Sequence, residues 1–458
     1  MVPPRLKPLI EETKVLADAF AVAGHRLYLV GGVVRDAIVG RLSETTDLDF
    51  TTDALPDEIE RIVGPLASAV WTQGKRFGTI GAKVNGRSCE ITTHRAEAYD
   101  PESRKPNVAF STEISDDLSR RDFTVNAMAL SLPDMELVDP FDGVADLGAH
   151  RLCSPLTPAE SFSDDPLRML RAARFIAGYE LVPDQSLVDA VRDMHGRLEI
   201  VSPERVRDEF DKLVVVPRPG PGLVFLVETG LAGEFLPELP GLALEQDPIH
   251  RHKDVLAHTI AVVENTTADD RVLRLAALFH DVGKPKTRSI GSHGVSFHHH
   301  EVVGARMTRD RMKALRYSTD DIHDVTRLVE LHLRFHTYAM GWTDSAVRRY
   351  VRDAGPLLRQ LNELTRCDCT TRNKRKADEL SRRMDSLEQR ISELREQEAI
   401  DAIRPDLDGR QVMERLGVGP GPHVGEALDM LLELRMEEGP LGVAEAYQRL
   451  DAWWAEQG

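Results

Sequence analysis

Two aspartates one residue apart are the first residues in this sequence whose types and spacing suggest chemistry. Asp47 and Asp49 lie in the stretch LVGGVVRDAIVGRLSETTDLDFTT, residues 29–52. Successive side chains on a strand point to opposite faces, so both carboxylates share one face across Leu48. Carboxylates this close repel each other unless a hard divalent cation binds both. The spacing therefore predicts a cation site, whereas two solvated carboxylates at a strand edge are the simpler alternative.

A glycine pair precedes these aspartates, between a predicted strand, HRLYLV, and a predicted short helix, VVRDAIVG. Gly31 and Gly32 allow the backbone to approach a phosphate closely and to point amide groups at it. Arg35 and Asp36 fall in the first turn of the helix. Together with the aspartates, these residues are the parts of metal-assisted phosphoryl or nucleotidyl transfer.

Further charged residues follow in two short stretches. CEITTHR predicts a strand on which Glu90 offers a third carboxylate to the same ions. SRRDFTVNAM places Arg120 and Arg121 at the predicted start of a helix, with Asp122 beside them. A planar guanidinium group can bind two phosphate oxygens at once, so these arginines suit a triphosphate. A surface-exposed arginine pair is the alternative.

Five motifs in this order resemble those of the tRNA nucleotidyltransferase and poly(A) polymerase family, in its bacterial class II branch. They are LVGGVVRDAIVG…TDLDFTT, EITTHR, RRDFTVNAM, LVDPFDGVADL and DDPLRMLRAARF, and the resemblance resumes near the C-terminus. It implies a polymerase-beta-like head in which Asp47 and Asp49 hold two Mg²⁺ ions, with Glu90 as a third catalytic carboxylate. One ion would activate the terminal 3′ hydroxyl of the RNA, and the other would hold the triphosphate.

The last of these motifs predicts a helix that places Asp165 and Arg168 at i and i+3, on one face. Cytosine and adenine present an amino donor beside a ring-nitrogen acceptor, whereas uracil and guanine present a carbonyl beside an N–H. Ionised aspartate only accepts hydrogen bonds and arginine only donates them, so this pair matches C and A. A surface salt bridge is the alternative role. The nucleotide-binding candidates are Gly31, Gly32, Arg35, Asp36, Arg121, Asp122, Asn126, Asp165, Arg168, Arg171 and Arg174.

Histidines mark a second segment, since eleven of the sixteen lie between residues 250 and 336. His258, the pair His280-Asp281 and then Asp368 resemble the ordered motif of the HD phosphohydrolase superfamily, with HDVGKP as its most specific piece. The resemblance implies a divalent metal here, Mn, Ni, Co, Fe or Zn, and either phosphoester hydrolysis or an idle module that cradles RNA. Candidates to extend this site are His299, His300 and Glu301.

RNA-binding residues are predicted after the histidine-rich segment. The segment from Arg366 to Arg383 contains seven basic residues and three acidic ones, and this excess of positive charge suits contacts to RNA phosphates. A solvated helix face is the alternative. The RNA-binding candidates are Arg372, Lys374, Arg375 and Lys376. The loop GPGPHVGEAL resembles the part of the family that holds the tRNA elbow. Apolar residues at three- and four-residue steps from Ala377 to Leu394 predict a long helix, packed on its own chain or in a dimer coiled coil.

Composition limits the class of protein. The chain has 458 residues and a net charge of -17, which argues against coating nucleic acid by bulk electrostatics. Four irregularly spaced cysteines predict neither a disulfide framework nor a four-thiolate zinc site, and they suit a reducing compartment. The sequence MVPPRLKPLIEETK has no long apolar core, and no run near 18 apolar residues occurs. We therefore expect a cytoplasmic protein without membrane contact.

Strand and helix patterns divide the chain into four predicted domains. Mixed strands and helices up to about residue 150 give the head, 1–150, with a hairpin at Asn85-Gly86. Helical patterns dominate afterwards and give a neck (151–245), an HD domain (246–370) and a helical tail (371–458). The expected fold class is α+β in the head followed by an all-α remainder.

The resemblance implies a Mg²⁺-dependent enzyme that adds C, C and A to tRNA 3′ ends from CTP and ATP without a template, releasing pyrophosphate. Poly(A) polymerase, or an enzyme restricted to A or C addition, shares every motif and is the first alternative. A hydrolase that works through the HD module and binds RNA with the head is the second. A pure RNA-binding protein is the third, and it would have no use for two metal sites. The sequence leaves the oligomeric state, monomer or homodimer, open.

Overall fold

The computed structural model describes residues 7–42, 48–98, 107–244, 254–291, 294–369, 374–398 and 404–457. The chain forms two compact units, Met1–Phe235 and Leu236–Gly458, called the first and second units below. The finer division into four domains stays a prediction.

Short strands and helices alternate in the first unit. Its strands are β1 (Leu27–Val30), β2 (Leu48–Thr52), β3 (Ala69–Trp71), β4 (Thr79–Val84), β5 (Arg87–Thr93), β6 (Arg95–Ala98), β7 (Asn107–Phe110), β8 (Ala129–Leu132), β9 (Leu137–Val138), β10 (Arg151–Leu152) and β11 (Val182–Pro183). Its helices are α1 (Lys7–Val22), α2 (Gly32–Val39), α3 (Pro56–Val63), α4 (Ile114–Ser119), α5 (Gly143–Gly148), α6 (Pro158–Asp164), α7 (Leu167–Tyr179), α8 (Gln185–Met194), α9 (Pro203–Val214), α10 (Gly220–Glu228) and α11 (Leu231–Phe235).

Seven of these strands form one mixed sheet in the order β3-β4-β5-β2-β1-β8-β9. β2 and β5 run parallel, and the other neighbouring pairs run antiparallel. Leu48 and Phe50 are buried on one face of β2, while Asp49 between them is exposed on the other. The period of two therefore places the predicted carboxylate of Asp49 on the open face of the sheet.

Asn85 and Gly86 form the predicted two-residue hairpin turn between β4 and β5. Both residues have positive φ, 51° and 83°, as the favoured turn of a tight hairpin requires. The turn fixes the pairing of β4 with β5, in which Ile80 lies opposite Ile91 and Gly81 opposite Glu90. This prediction is confirmed.

α7 is the central helix of the part after residue 150. It is buried along most of its length and packs against α9 and α10. The rings of Phe123 and Phe175 lie 5.2 Å apart, so α7 also packs against the residues that precede β8. The helix therefore connects the sheet to the helical part within the first unit.

Helices also dominate the second unit. They are α12 (Val255–Asn265), α13 (Arg271–Phe279), α14 (Lys284–Thr287), α15 (His300–Ala314), α16 (Thr319–Leu331), α17 (Asp344–Ala354), α18 (Leu358–Asp368), α19 (Lys374–Glu398), α20 (Gly409–Leu416), α21 (Pro422–Glu438) and α22 (Val443–Gln457). The short hairpin of β12 (Arg288–Gly291) and β13 (Gly294–Phe297) is a feature that the helical pattern did not predict.

The long helix α19 settles one open choice from the sequence. Its stripe residues Met384, Leu387, Ile391 and Leu394 are between 0% and 4% exposed within this one chain. They pack where α19 meets α17 and α18. These four residues of the heptad stripe are therefore used by the chain's own core and are not available as a dimer seam.

No helix in the described part of the chain is long and apolar enough to cross a membrane.

His94 follows β5 and is a fully buried polar residue in the first unit. Its Nδ1 lies 2.8 Å from the Thr51 hydroxyl, and its ring lies 5.6 Å from the ring of Tyr28. Burial lowers the pKa of His94 to about 4, so the folded protein holds this imidazole neutral.

We expect this histidine to reduce stability in mild acid. The unfolded chain binds a proton at His94 near pH 6.5, whereas the folded chain does so only near pH 4, so stability falls as the pH drops through this window. Between pH 7 and pH 5 the loss from this group is about 2 kcal/mol, as urea unfolding would measure.

His94→Gln should not show this loss of stability between pH 7 and pH 5, because the glutamine amide does not titrate. His150→Asn is the matched control, since His150 is an exposed histidine of the same unit whose φ of 52° asparagine tolerates. The prediction would be contradicted if the free energy of unfolding of His94→Gln fell between pH 7 and pH 5 as much as that of the wild type.

Candidate functional site

Two exposed carboxylates lie side by side on the open face of the first unit's sheet. Asp49 of β2 and Glu90 of β5 are register partners in parallel strands, so their side chains project from the same face. The structure thus brings together two of the three predicted catalytic carboxylates. Asp47 lies outside the described residues.

The glycine turn lies against the same carboxylate. Gly31 precedes α2 with a φ of 74°, a backbone conformation that favours glycine. A methyl group added to Gly31 would lie 3.1 Å from Nη1 of Arg121 and 4.0 Å from Oδ2 of Asp49. A glycine turn, a carboxylate and a guanidinium from three separate segments of the chain therefore meet at one point.

The two arginines of this region do not open a helix, so that prediction is wrong. They follow α4, and the next turn is a 3-10 helix at Thr124–Asn126. Their orientation comes from Asp117 on α4, whose Oδ1 accepts from Arg120 at 2.6 Å and whose Oδ2 accepts from Arg121 at 3.0 Å. Both arginines lie three or four residues after Asp117, which is the spacing of neighbours on a helix.

Sequence reasoning missed Asp117, although its i+3 and i+4 arginines were a usable signal. Its side chain is fully buried. Burial alone would raise the pKa of Asp117, but the charges of Arg121 and Arg120 lower it to about 2. The carboxylate is therefore ionised and holds both guanidinium groups in place.

Arg35 is the buried end of a polar network that begins beside this turn. Its Nε donates to Asp36 Oδ1 at 2.9 Å and its Nη1 donates to Asn126 Oδ1. Its Nη2 donates to the hydroxyl of Tyr179 at 2.5 Å, and its guanidinium lies 4.2 Å from the centre of that ring. Nearly all donors of Arg35 are thus used inside the protein.

Asn126 connects this network to α7 through Asp122 and Arg171. Its Nδ2 donates to Oδ1 of Asp122 at 2.8 Å, and Nη2 of Arg171 donates to Oδ2 of Asp122 at 2.6 Å. Arg174 pairs with Glu209 of α9, which is 3% exposed. Burial opposes ionisation of Asp122, but Arg171 and Asn126 keep its pKa below the ordinary value. Six of the predicted nucleotide-binding residues therefore bind one another or their neighbours.

Asp165 does not lie on the same helix as Arg168, and that part of the prediction is wrong. Asp165 directly follows α6, and its Oδ1 accepts from the amide of Leu167 at 3.1 Å, at the start of α7. The intervening Pro166 explains the break, since the residue before a proline is disfavoured in a helix. Arg205 pairs with Oδ2 of Asp165 at 2.7 Å, so this carboxylate does not form the simple i,i+3 salt bridge either.

Arg168 is positioned by backbone and hydroxyl oxygens. Its Nη2 donates to the carbonyl of Arg120 at 2.5 Å and its Nη1 to the hydroxyl of Ser161 at 3.0 Å. The contact with Arg120 places the base-reading candidate directly beside the predicted triphosphate-binding arginines. This proximity came from the fold and not from sequence spacing.

Histidines and aspartates of the second unit form a separate cluster. Nε2 of His258 lies 3.3 Å from Nε2 of His280 and 3.0 Å from Oδ1 of Asp368. Oδ2 of Asp281 lies 3.3 Å from Nε2 of His280. All four predicted ligands, from α12, the end of α13 and the end of α18, therefore converge.

Gly283, in the HDVGKP motif, allows this convergence to include α15. A methyl group at Gly283 would lie 2.1 Å from the carbonyl oxygen of His300, so only glycine permits the helix to come this close. His300 thereby reaches Asp281, with 3.3 Å between its Nε2 and Oδ1. His299 is largely exposed, with a side-chain exposure of 83%, and lies outside the cluster.

His332 and His336 are cluster residues that sequence reasoning missed. The ring of His332 lies 5.3 Å from the rings of both His280 and His300. Nε2 of His336 lies 3.7 Å from Oδ2 of Asp368. LHLRFH contains both histidines, but its helical pattern alone does not reveal which face points to the cluster.

Buried carboxylates and imidazoles give this cluster the groups that could hold a cation. Although burial disfavours ionisation, the neighbouring histidines, with Lys284 beside Asp281, lower the pKa values of Asp281 and Asp368 well below their usual range. In turn, despite its burial, His280 has a raised pKa because Asp281 and Asp368 favour its protonated form. Imidazole nitrogens and carboxylate oxygens in this arrangement fit a divalent transition metal.

The predicted RNA-binding strip is only partly described. Arg375 is exposed on α19. Nothing further is described for the side chains of Lys374 and Lys376, and Arg372 lies outside the described residues.

Three family models match consecutive parts of the chain. The poly A polymerase head domain matches residues 27–153, and a probable RNA- and SrmB-binding site of polymerase A matches residues 182–242. The HD domain matches residues 254–393.

Curated relatives extend this match to nearly the whole chain. An A-adding tRNA nucleotidyltransferase of Deinococcus radiodurans is 34% identical over 445 residues, 94% of this chain and 95% of the relative. The chain belongs to the class II tRNA nucleotidyltransferase and poly(A) polymerase family. A CCA-adding enzyme of Limosilactobacillus reuteri is 36% identical over 228 residues, and one of Streptococcus gordonii is 38% identical over 232. These matches span 50% of this chain and 55% and 56% of those relatives, so the chain matches about half their length.

Solved structures of the family share the fold. The CCA-adding enzyme of Bacillus stearothermophilus, in complex with CTP, matches with a TM-score of 0.69 and 22% identity over 99% of both chains. The Thermotoga maritima CCA-adding enzyme complexed with tRNA matches with a TM-score of 0.57 and 18% identity over 99% of this chain and 96% of that one. The polymerase-beta-like head with a helical remainder is therefore confirmed as the fold class.

Gly31→Ala should weaken anion binding beside Arg121 without unfolding the protein. The new methyl group would crowd Arg121 and strain a left-handed backbone, so the affinity for inorganic triphosphate should fall roughly tenfold, as calorimetry would measure. Gly24→Ala is the matched control, because Gly24 has a φ of 80° with nothing within 4 Å of the added carbon. Equal losses of affinity in both variants would show that backbone strain alone is responsible.

Proposed function

We propose that this chain adds C, C and A in turn to the 3′ end of tRNA, using CTP and ATP without a template and releasing pyrophosphate. The observation that carries the proposal is the meeting of Gly31, Asp49 and Arg121 beside Glu90. Family membership supports it, and so does the CCA-adding activity named for several relatives.

Asp47 and Asp49 would hold Mg²⁺, with Glu90 as the third catalytic carboxylate. The exposed, adjacent oxygens of Asp49 and Glu90 fit this hard cation, which lowers the charge barrier between a 3′ hydroxyl and a triphosphate. Arg121, held by Asp117, points its guanidinium at the glycine turn and would bind phosphate oxygens there. Gly31 and Gly32 would offer backbone amides at the start of α2.

Asp165 and Arg168 would select the base. A carboxylate acceptor and a guanidinium donor fit the shared edge of cytosine and adenine, and they leave unpaired groups against uracil and guanine. The guanidinium group of Arg168 donates to the carbonyl oxygen of Arg120, so the base-reading and triphosphate-binding groups are adjacent in the fold.

Addition of A alone is the second candidate for the head. It is favoured by one observation, since the relative that matches along almost the whole chain is named for A addition. All residues discussed above serve either reaction, because both transfer a nucleotide to the same kind of RNA end.

The histidine cluster would hydrolyse phosphoesters. His258, His280, Asp281 and Asp368 fit a divalent metal, Mn, Ni, Co, Fe or Zn, which would supply an activated water and polarise a phosphoryl oxygen.

The tRNA backbone would be contacted by the basic strip of Arg372, Lys374, Arg375 and Lys376. The substrates tRNA, CTP and ATP suit a cytoplasmic location.

The decisive assay gives the purified protein a tRNA transcript that lacks its 3′ CCA, with each labelled nucleotide singly and with CTP plus ATP. Incorporation of two C residues and then one A is expected. Addition of A only to transcripts ending in CC would identify the A-adding alternative, and runaway A addition would identify a poly(A) polymerase.

Asp47→Ala and Asp49→Asn should each lower the rate of nucleotide addition at least about a hundredfold, because they remove charge that neutralises the reacting groups. His280→Ala is the control from the second unit and should retain addition while losing phosphoesterase activity. Loss of addition in a folded His280→Ala variant would contradict the separation of the two sites.

Asp165→Asn should relax the choice of base. The amide can still accept from the amide of Leu167, but it also donates, so UTP and GTP should compete better by roughly 5- to 150-fold, equivalent to about 1 to 3 kcal/mol. Ratios of kcat/KM for the four nucleotides measure this change. Arg205→Gln removes the ion pair of Asp165 without changing the carboxylate, so equal relaxation there would assign the effect to lost positioning.

A further inference from the structure

A tryptophan lies in the same row across the first unit's sheet as the two exposed carboxylates. Trp71 of β3 is the register partner of Gly81 on β4, and Gly81 is the register partner of Glu90 on β5. Glu90 in turn lies opposite Asp49. Register partners project from the same face of a sheet, so the indole of Trp71 and both carboxylates share the open face.

Gly81 allows the indole to extend towards the carboxylates. A methyl group at this position would overlap Nε1 of Trp71, so the indole lies where a side chain of β4 would otherwise stand. Gly81 is buried although its neighbour Glu90 is exposed, as expected under a ring that covers it. The ring of Trp71 therefore crosses β4 in the direction of Glu90.

The strand order determines which substrate the indole meets. β2, which carries Asp49, lies between β5 on one side and β1 on the other. Gly31 directly follows β1 and lies beside Arg121, so the predicted triphosphate-binding groups are on the β1 side. Trp71 is on the β5 side, beyond Glu90. The indole and the triphosphate-binding groups therefore lie on opposite sides of Asp49.

Phosphoryl transfer requires this kind of two-sided arrangement. The attacking and leaving oxygens lie roughly in line, on opposite sides of the phosphorus. A triphosphate whose leaving pyrophosphate lies on the β1 side is therefore attacked by a hydroxyl that arrives from the side of Trp71.

We propose that the indole of Trp71 stacks on the terminal base of the RNA and so positions its 3′ hydroxyl beside the catalytic carboxylates. This role rests on the proposed nucleotide addition. Trp71 is 37% exposed, and an exposed aromatic ring offers a stacking surface to any base, since every base has a π-face. Tolerance of this kind suits an acceptor whose last nucleotide changes after each addition.

Lys83 adds a contact for the RNA backbone. It lies two residues after Gly81 on β4, so it projects from the same face, and its side chain is exposed. A stacking ring beside a cationic side chain is the usual combination in sites that bind single-stranded nucleic acid. Trp71 and Lys83 therefore hold the base and a phosphate of the acceptor end.

Binding of RNA in the absence of nucleotides tests the proposal. Two labelled tRNA transcripts lacking CCA are compared, one complete and one with an abasic ribose at its 3′ end, and fluorescence anisotropy gives their dissociation constants. The full-length wild-type protein should bind the abasic RNA about 5- to 150-fold more weakly, which is the range for loss of one base–aromatic stack.

Trp71→Leu should bind both RNAs equally, because leucine is apolar but has no π-face, whereas Trp71→Phe should keep most of the discrimination. Gly81→Ala should also lose it, because the new methyl group displaces the indole. Phe77→Leu is the matched control, since Phe77 is 40% exposed in the loop before β4 and should discriminate like the wild type. The affinity for inorganic triphosphate should be unchanged in all four variants, because the triphosphate-binding groups lie on the other side of Asp49.

Equal binding of both RNAs by the wild type overturns the proposal, and so does full discrimination in either Trp71→Leu or Gly81→Ala. Circular dichroism checks folding, and two variants are used so that failure of one to fold leaves the other. Discrimination by a wild-type protein that adds no nucleotide would contradict the proposed function while supporting the stacking role of Trp71.

Discussion

Buried carboxylates are the constraint on which both sites depend. Asp117 and Asp122 in the first unit and Asp281 in the second are at most 7% exposed, and each has a pKa below its ordinary value. A buried negative charge is costly unless positive groups and hydrogen bonds surround it. Each of these aspartates therefore determines where cationic side chains must lie, and those side chains form the sites.

The two units meet this constraint with different chemistry. Asp117 is paired with Arg120 and Arg121, which are always protonated and present rigid forks, so that part of the site needs no ion to be complete. Asp281 is surrounded mainly by histidines, with Lys284 on one oxygen. Imidazole can exchange its proton for a metal ion, whereas the guanidinium groups of the first unit keep their protons.

Local patterns in the sequence predicted the parts of the fold that depend on local rules. The period of two placed Asp49 on the open face of β2, and the left-handed turn at Asn85 and Gly86 defined a hairpin. Contacts between distant segments were not predictable in this way. Asp117 and His332 reach their sites because α4 and α16 pack against other elements, and periodicity does not report which neighbour a helix meets. Pro166 separated Asp165 from α7, although its effect on the preceding residue was readable.

The hydrogen bonds that each arginine makes show whether it is free to bind a substrate or is used to stabilise the site. Arg35 has a side-chain exposure of 7% and directs its guanidinium to Asp36, Asn126 and Tyr179, so it has little capacity left for a phosphate. Arg121 differs, because Asp117 accepts from its Nη2 while its Nη1 faces the glycine turn. An arginine that is held at one end and open at the other binds an incoming anion without losing much side-chain entropy. We therefore infer that Arg121 contacts the triphosphate, whereas Arg35 acts through the residues it positions.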